Sequence, residues 1–397
     1  MKRRFLFSEV LKVLKTKKIA VITGARQVGK TTLLHQLKEE LEKRGETVHF
    51  LNLEDMDLLV DLNESPKNLL KLVKISANPV VFIDEIQYLE NPSNFLKYLY
   101  DTYHDKLRLV VTGSSAFYMN KKFKDSLAGR KRVLIMPTLS FRELLFFRDK
   151  DALRQRVINK DSLTKTARRE LLTLFEEYVT FGGYPEVVVT QDKEEKRAVL
   201  GEIATSYMKR DILERGLKRE DKFLALTKML AGQIGNLLNK NELSRLLGIS
   251  TTAVDNYIDA LINSFHISLI YPFYTNVSKE IVKMPKIYFN DFGFRNKILK
   301  DFRALNDRQD QGSIIENVYF RYLTDNKKED IKYWRNKSGL EIDFVFGNEA
   351  IEIKNSCRSS SLKQVKAFNR SHPDAPVKIL CLKNYPDEKQ FLVKNII

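Results

Sequence analysis

A chain of 397 residues with 43% apolar content is too long for one simple core and predicts two or three domains. No apolar run approaches the roughly 20 residues that span a bilayer, which argues against a membrane-embedded role. A formal net charge of +17 and a pI near 9.5 favour polyanionic partners, DNA or another nucleic acid first, and leave a merely lysine-rich solvated surface as the alternative, because the lysines are spread along the whole chain.

The basic start "MKRRFLFSEVLKVLKTKK" lacks the apolar core and small-residue cleavage site of a signal peptide, so a cytoplasmic location is expected. Cys357 and Cys381 have no metal-ligand spacing and read as reduced thiols.

"KKIAVIT" (17–23) reads as a buried strand, and "KTTLLHQLKEELEKRG" (30–45) as a helix with apolar positions Leu33, Leu34, Leu37 and Leu41, ending at Gly45. The loop between them fits G-x-x-x-x-G-K-[ST]. Its residues, Gly24, Ala25, Arg26, Gln27, Val28, Gly29, Lys30, Thr31 and Thr32, are candidates to hold ATP. Glycines let the backbone N–H groups curl toward one point, and the helix N-terminus adds positive potential there. Lys30 is expected on the β- and γ-phosphates and Thr31 on Mg²⁺.

"TVHFLNLED" (47–55), "PVVFIDEIQ" (79–87), "LRLVVTGSSAF" (107–117) and "RVLIMP" (132–137) supply four more short strands alternating with helices, which implies an α/β fold with a parallel sheet. Asp84 at the end of the second of these is the expected Mg²⁺ residue. Glu85 beside it is the candidate general base. Thr112, Ser114 and Ser115 end the next strand, where a hydroxyl is in position to meet the γ-phosphate or the attacking water, or merely forms a turn.

From Asp151 to Gly235 the pattern is helical, with a break at Gly182, Gly183 and Pro185. "NKNELSRLLGISTTAVDNYIDAL" (239–261) then reads as two helices joined through a glycine turn, with Ser250 or Thr251 as cap, followed by the strand "HISLIYPF". In a DNA reader Thr251, Thr252, Asn256 and Tyr257 would face the groove. The same helix carries Asp255 and Asp259 and no basic residue, so packing or protein contact stands as the alternative.

"GSIIENVYFRYL" (312–323) reads as a helix with Glu316 beside its apolar face. "DIKYWRN", "LEIDFVF" and "AIEIKN" read as strands. Simple alternation places Glu341, Asp343 and Val345 on one face, and Ile342, Phe344 and Phe346 on the other. Glu352 and Lys354 share a face of the next strand, and Gln364 lies on the following helix.

Taken together, "GARQVGKTTLL", "FIDEIQ", "TGSSA", "SLAGRK", "FGGYPEVV" and "WRNKSGLEIDFVF" resemble a family of bacterial and archaeal AAA-like P-loop ATPases with a C-terminal restriction-endonuclease-like domain of uncharacterised function. The resemblance implies a P-loop NTPase core over 1–150, a helical lid over 151–235, a winged-helix-like region over 236–285 and a restriction-endonuclease-like α/β domain over 286–397. It implies ATP hydrolysis with ATP and Mg²⁺ as cofactors, association of subunits, and Arg130 near the γ-phosphate of its own or a neighbouring subunit. In the C-terminal domain Asp343 and Glu352 would hold Mg²⁺, Lys354 would help activate water, and Glu316 would assist. A regulatory ATPase whose C-terminal modules bind protein remains the rival expectation.

Overall fold

Five short apolar runs become the five strands of one parallel sheet: β1 Ile19–Thr23, β2 Val48–Asn52, β3 Val80–Asp84, β4 Arg108–Gly113 and β5 Lys131–Ile135. The computed structural model describes residues 2–75, 78–113, 127–159, 161–214, 219–273, 283–326, 328, 330–354 and 362–381. Within them, contacts divide the chain into two compact units, Met1–Thr138 with Asn263–Phe265, and Leu139–Ile262 with His266–Ile397. No helix among the described residues is long and apolar enough to cross a membrane.

In the first unit the strand order is β2-β3-β4-β1-β5, and every pairing is parallel. β1 and β3 are buried along their whole length, as continuous β-branched runs covered on both faces must be. The edge strands β2 and β5 are only partly buried. On one face the helix Pro92–Tyr103 sets Phe95, Leu96 and Leu99 against Val21, Val81, Ile83 and Val111.

The second unit opens with helices. Lys165–Phe181, Lys193–Glu214 and Glu220–Gly232 all pack on the helix Phe292–Leu299. That packing needs a bare backbone at Gly293: a Cβ there would lie 1.9 Å from the carbonyl oxygen of Phe181. Helices Lys240–Leu247 and Thr251–Asn263 follow, separated by Gly248 at φ +63°. The Asn239 side chain accepts from the Glu242 N–H and the Ser250 hydroxyl from the Ala253 N–H, so both helices start on side-chain caps. β6 (Ile267–Ile270) and β7 (Lys286–Phe289) form an antiparallel ladder.

The helix Gln311–Asp325 lies along β7. Asn317 accepts from the Phe289 N–H at 2.9 Å and donates to its carbonyl at 2.8 Å, completing β7 as a neighbouring strand would. β8 (Lys332–Arg335), β9 (Glu341–Phe346), β10 (Glu349–Lys354) and β11 (Val377–Cys381) make a mixed sheet in the order β11-β10-β9-β8. Simple alternation fails in β9. The β8–β9 register runs from Trp334↔Ile342 to Lys332↔Val345, so two residues of β8 span three of β9. This bulge brings Ile342 and Val345 into one core with Trp334, Ala350, Val365 and Phe368. Phe344 turns the other way, against Tyr288 and Tyr319.

Gly293→Ala should destabilise the second unit by about 1–3 kcal/mol or more, because backbone must move to admit the methyl group. Gly232→Ala, at a helical glycine with nothing within 4 Å of its added Cβ, should be neutral or stabilising by up to about 1 kcal/mol. Urea midpoints of the two variants check this, and an equal effect at both positions would refute the close-approach argument.

Candidate nucleotide site and C-terminal acidic cluster

β1 runs straight into the phosphate-type loop. Gly24 sits so close to the next wall that a Cβ would come 2.1 Å from the Met136 carbonyl oxygen. Gly29, at φ +93°, turns the chain into the helix Lys30–Lys43. The Lys30 ammonium is drawn into the loop and donates to the carbonyls of Ala25 at 2.8 Å and Gly24 at 3.2 Å. Arg4, which sequence reasoning missed, donates to the Val28 carbonyl at 2.9 Å and the Pro137 carbonyl at 2.8 Å, holding the loop to the segment after β5. Its position far upstream in the chain carries no motif, so only the fold reveals it.

The order β3-β4-β1 places β4 between the loop strand and the Asp84 strand. Asp84 is buried, and its Oδ2 accepts from the Thr31 hydroxyl at 2.7 Å. Its Oδ1 accepts from the Thr112 hydroxyl, which in turn accepts from the Glu85 N–H at 3.1 Å. Thr112 thus positions both carboxylate residues. Glu85 holds a left-handed backbone, φ 56°, a conformation that costs a non-glycine residue about 1 kcal/mol or more. Its carboxylate accepts from the Gln87 amide. Thr31 is exposed, and both hydrogen bonds to the Asp84 carboxylate come from neutral hydroxyls. A hard divalent cation suits this pair of oxygen donors. Ser114 and Ser115 lie outside the described residues.

Arg130 is not at this site in its own chain. Parallel pairing sets Lys131 against Ile19 and Ile135 against Thr23, so Arg130 lies at the opposite end of the strands from the loop. From Arg130 to Ile135 the offset is five residues, about 17 Å. There its guanidinium pairs with Asp101, at 2.6 Å from Nε and 3.2 Å from a terminal nitrogen.

The helix Thr251–Asn263 exposes Thr251, Thr252 and Asn256, as expected of a groove-facing surface. Tyr257 departs from that expectation. It is buried, packs edge-on against Phe223 and reaches the Arg219 carbonyl with its hydroxyl. Asp259 is exposed beside Asn256, and Asp255 pairs with Lys240 at 2.5 Å.

In the C-terminal sheet the β9–β10 ladder stops at Phe344↔Ile351. Past it Asp343 and Glu352 bond crosswise. The Asp343 N–H donates to Glu352 Oε2 at 3.3 Å, and the Ile353 N–H donates to Asp343 Oδ2 at 2.8 Å. Lys354 and Gln364 both hold Glu352 Oε1, the latter at 3.0 Å. The remaining oxygen, Asp343 Oδ1, faces Lys286 Nζ at 3.5 Å. That ammonium, from β7, is also 3.0 Å from Glu316 and 2.5 Å from Glu341. Tyr288 donates to Glu316 at 2.6 Å.

Sequence reasoning placed Asp343, Glu352, Lys354, Glu316 and Gln364 here and missed Lys286, Glu341 and Tyr288. In this arrangement the residues do not fit a divalent ion, because the ammonium groups of Lys286 and Lys354 already offset the charge of Asp343 and Glu352, whose other oxygens meet backbone N–H donors. Burial pushes Glu352 up to about 7, with the Asp343 charge adding and Lys354 opposing. Burial likewise pushes Glu316 up to about 7 against the pull of Lys286, and raises Asp343. For Lys286 burial pulls downward, but Glu316, Asp343 and Glu341 outweigh it and hold the ammonium charged.

Residues 16–145 match a family model described as an AAA domain. Residues 172–305 and 311–395 match two models of domains of unknown function, DUF8612 and DUF4143. An uncharacterised protein of Methanocaldococcus jannaschii is 27% identical over 387 residues, covering 94% of this chain and 83% of its own. An uncharacterised protein of Haemophilus influenzae is 28% identical over 259 residues, covering 62% of this chain and 60% of its own. Among solved structures, the Aeropyrum pernix Orc1 protein in complex with DNA aligns over 74% of this chain and 91% of its own, at 13% identity and a TM-score of 0.30. The matched segment, the parallel sheet and the loop between β1 and its helix agree, and residues 16–145 carry an AAA-like ATPase domain.

Proposed function

We propose that the chain hydrolyses ATP with Mg²⁺ at the loop Gly24–Thr32. The observation that carries this reading is the convergence of Thr31 and Thr112 on Asp84, with Glu85 fixed beside them. Lys30 would leave the loop carbonyls for the β- and γ-phosphates, joining the backbone N–H groups at the helix N-terminus. Thr31 and Asp84 would hold the Mg²⁺ ion, which when bound neutralises charge on the transferred phosphoryl group. Glu85, oriented by Gln87 and by its own backbone, would accept the proton of the attacking water. Arg130, remote from its own loop, would serve only a neighbouring subunit's phosphates, and this makes self-association part of the proposal.

For the C-terminal half we propose a regulatory role, with nucleic acid or protein as the partner and no metal-dependent cleavage. Support comes from the occupied oxygens of Asp343 and Glu352 and from the acidic, partly buried helix Thr251–Asn263. The net charge of +17 favours nucleic acid, whose binding would weaken steeply with salt. The rival, a restriction-endonuclease-like nuclease at Asp343, Glu352 and Lys354, draws on their meeting at one strand end. Metal-dependent cleavage of DNA or RNA that is lost in Asp343→Ala would favour the rival.

Lys30→Ala should abolish ATP binding or turnover. Glu85→Gln should keep binding and lower turnover at least ~100-fold, the usual worth of a positioned base. Arg130→Ala should lower turnover more than affinity. Steady-state ATPase assays with nucleotide-binding titrations check all three, and unchanged turnover in Glu85→Gln would remove Glu85 from its role.

A pH dependence follows from Glu352. Its folded value, about 7, lies above the ordinary 4.5, so the folded state holds the proton more tightly. The resulting stability is complete below pH 4.5 and is lost as pH rises through 7. Relative to wild type, Glu352→Gln should therefore gain about 3 kcal/mol between pH 4.5 and 8. Urea unfolding across that range measures it, and parallel stability curves for the two proteins would contradict it.

A further inference from the structure

We infer that Lys286 is the resident cation of the C-terminal acidic cluster: its ammonium lies among Glu316, Glu341 and Asp343, offsets the charge that Asp343 would offer a divalent ion shared with Glu352, and so excludes metal. The inference deepens the non-nucleolytic reading of this domain and is independent of the ATPase.

The lysine is 2% exposed, and its ammonium lies within 3.5 Å of three carboxylates carried by two different elements, the helix Gln311–Asp325 and β9. A buried ammonium persists only where such partners offset its desolvation. The aromatic ring of Tyr333 adds a further wall, 5.8 Å from Nζ.

Its backbone is pinned from both sides. Lys286 pairs with Ile270 in the β6–β7 ladder and forms a bridge with Leu237. Three residues on, Asn317 ties Phe289 to the helix that carries Glu316. From that fixed backbone position the side chain is buried among the three carboxylates. Lys354 differs: its side chain is 36% exposed, and it borders the cluster from outside.

A Mg²⁺ ion would need carboxylate oxygens at roughly 2.0–2.1 Å, and one oxygen of each of these carboxylates already meets the ammonium. It would sit beside a fixed positive charge in a poorly screened interior, where repulsion is strong. Simple alternation sets Glu341 and Asp343 both toward Lys286, and the bulge in β9 then returns Val345 to the core beside Ile342.

Titration of nucleotide-free full chain with Mn²⁺, read by the paramagnetic resonance signal of free ion, tests the inference. Wild type and Asp343→Asn should bind Mn²⁺ equally. Lys286→Met, which keeps the stem and removes the charge, should gain one site at least tenfold tighter than any in wild type, and Lys286→Met with Asp343→Asn should lose it. A wild-type site that disappears in Asp343→Asn would overturn the inference. So would a folded Lys286→Met protein, judged by circular dichroism, with no new site. Should Lys286→Met fail to fold, the comparison of wild type with Asp343→Asn still decides. Nucleic-acid cleavage by wild type in excess chelator would sink the non-nucleolytic reading and leave the assignment of Lys286 standing.

Discussion

A carboxylate withdrawn from water must find donors or positive charge, and the two acidic centres of this chain meet that demand in opposite ways. Each oxygen of Asp84 accepts from one hydroxyl, of Thr31 or Thr112, which gives it a partner without cancelling its charge. Asp343, Glu352, Glu316 and Glu341 are met instead by the ammonium groups of Lys286 and Lys354. The first centre keeps an electrostatic demand for a cation, and the second has largely met its own. The proposed division between a metal-using nucleotide site and a metal-free C-terminal cluster rests on that difference.

Backbone topology delivers each set of partners. Placing β4 between β1 and β3 brings Thr112 to the point where it can touch Asp84 and Glu85 together. In the second unit, the side chain of Asn317 completes β7, and this contact sets the helix bearing Glu316 alongside Lys286. The close seating of Gly293 on Phe181 fixes the helix Phe292–Leu299, which begins just after β7, among its helical neighbours.

Much of this was legible in the sequence. All five strands of the parallel sheet show as short apolar runs, and β1 and β3 as continuous ones, because a strand buried on both faces leaves no other pattern. The loop from Gly24 to Thr31 and the pair Asp84–Glu85 stood out through spacing. What stayed hidden depended on long-range geometry. Lys286 sits in "KMPKIYF", where it reads as the charged flank of a strand. Only the pairing of β7 with a helix 30 residues later buries it. Arg4 likewise acts across the fold. The bulge in β9 reversed part of the expected alternation, since one inserted residue shifts every side chain beyond it to the other face. Tyr257 reads as groove-facing with Thr251, Thr252 and Asn256 in a DNA reader, yet its ring closes the core against Phe223. Arg130 sits in a short basic run, and only the strand register shows that it lies at the wrong end of the sheet for its own loop.

The central claim is that cations enter one centre and not the other. Anomalous scattering from crystals grown with Mn²⁺ and a non-hydrolysable ATP analogue would test it most directly. A manganese peak is expected beside Thr31 and Asp84 and none among Glu316, Asp343 and Glu352. A peak bridging Asp343 and Glu352, or a nucleotide-bound crystal without metal at Asp84, would contradict it.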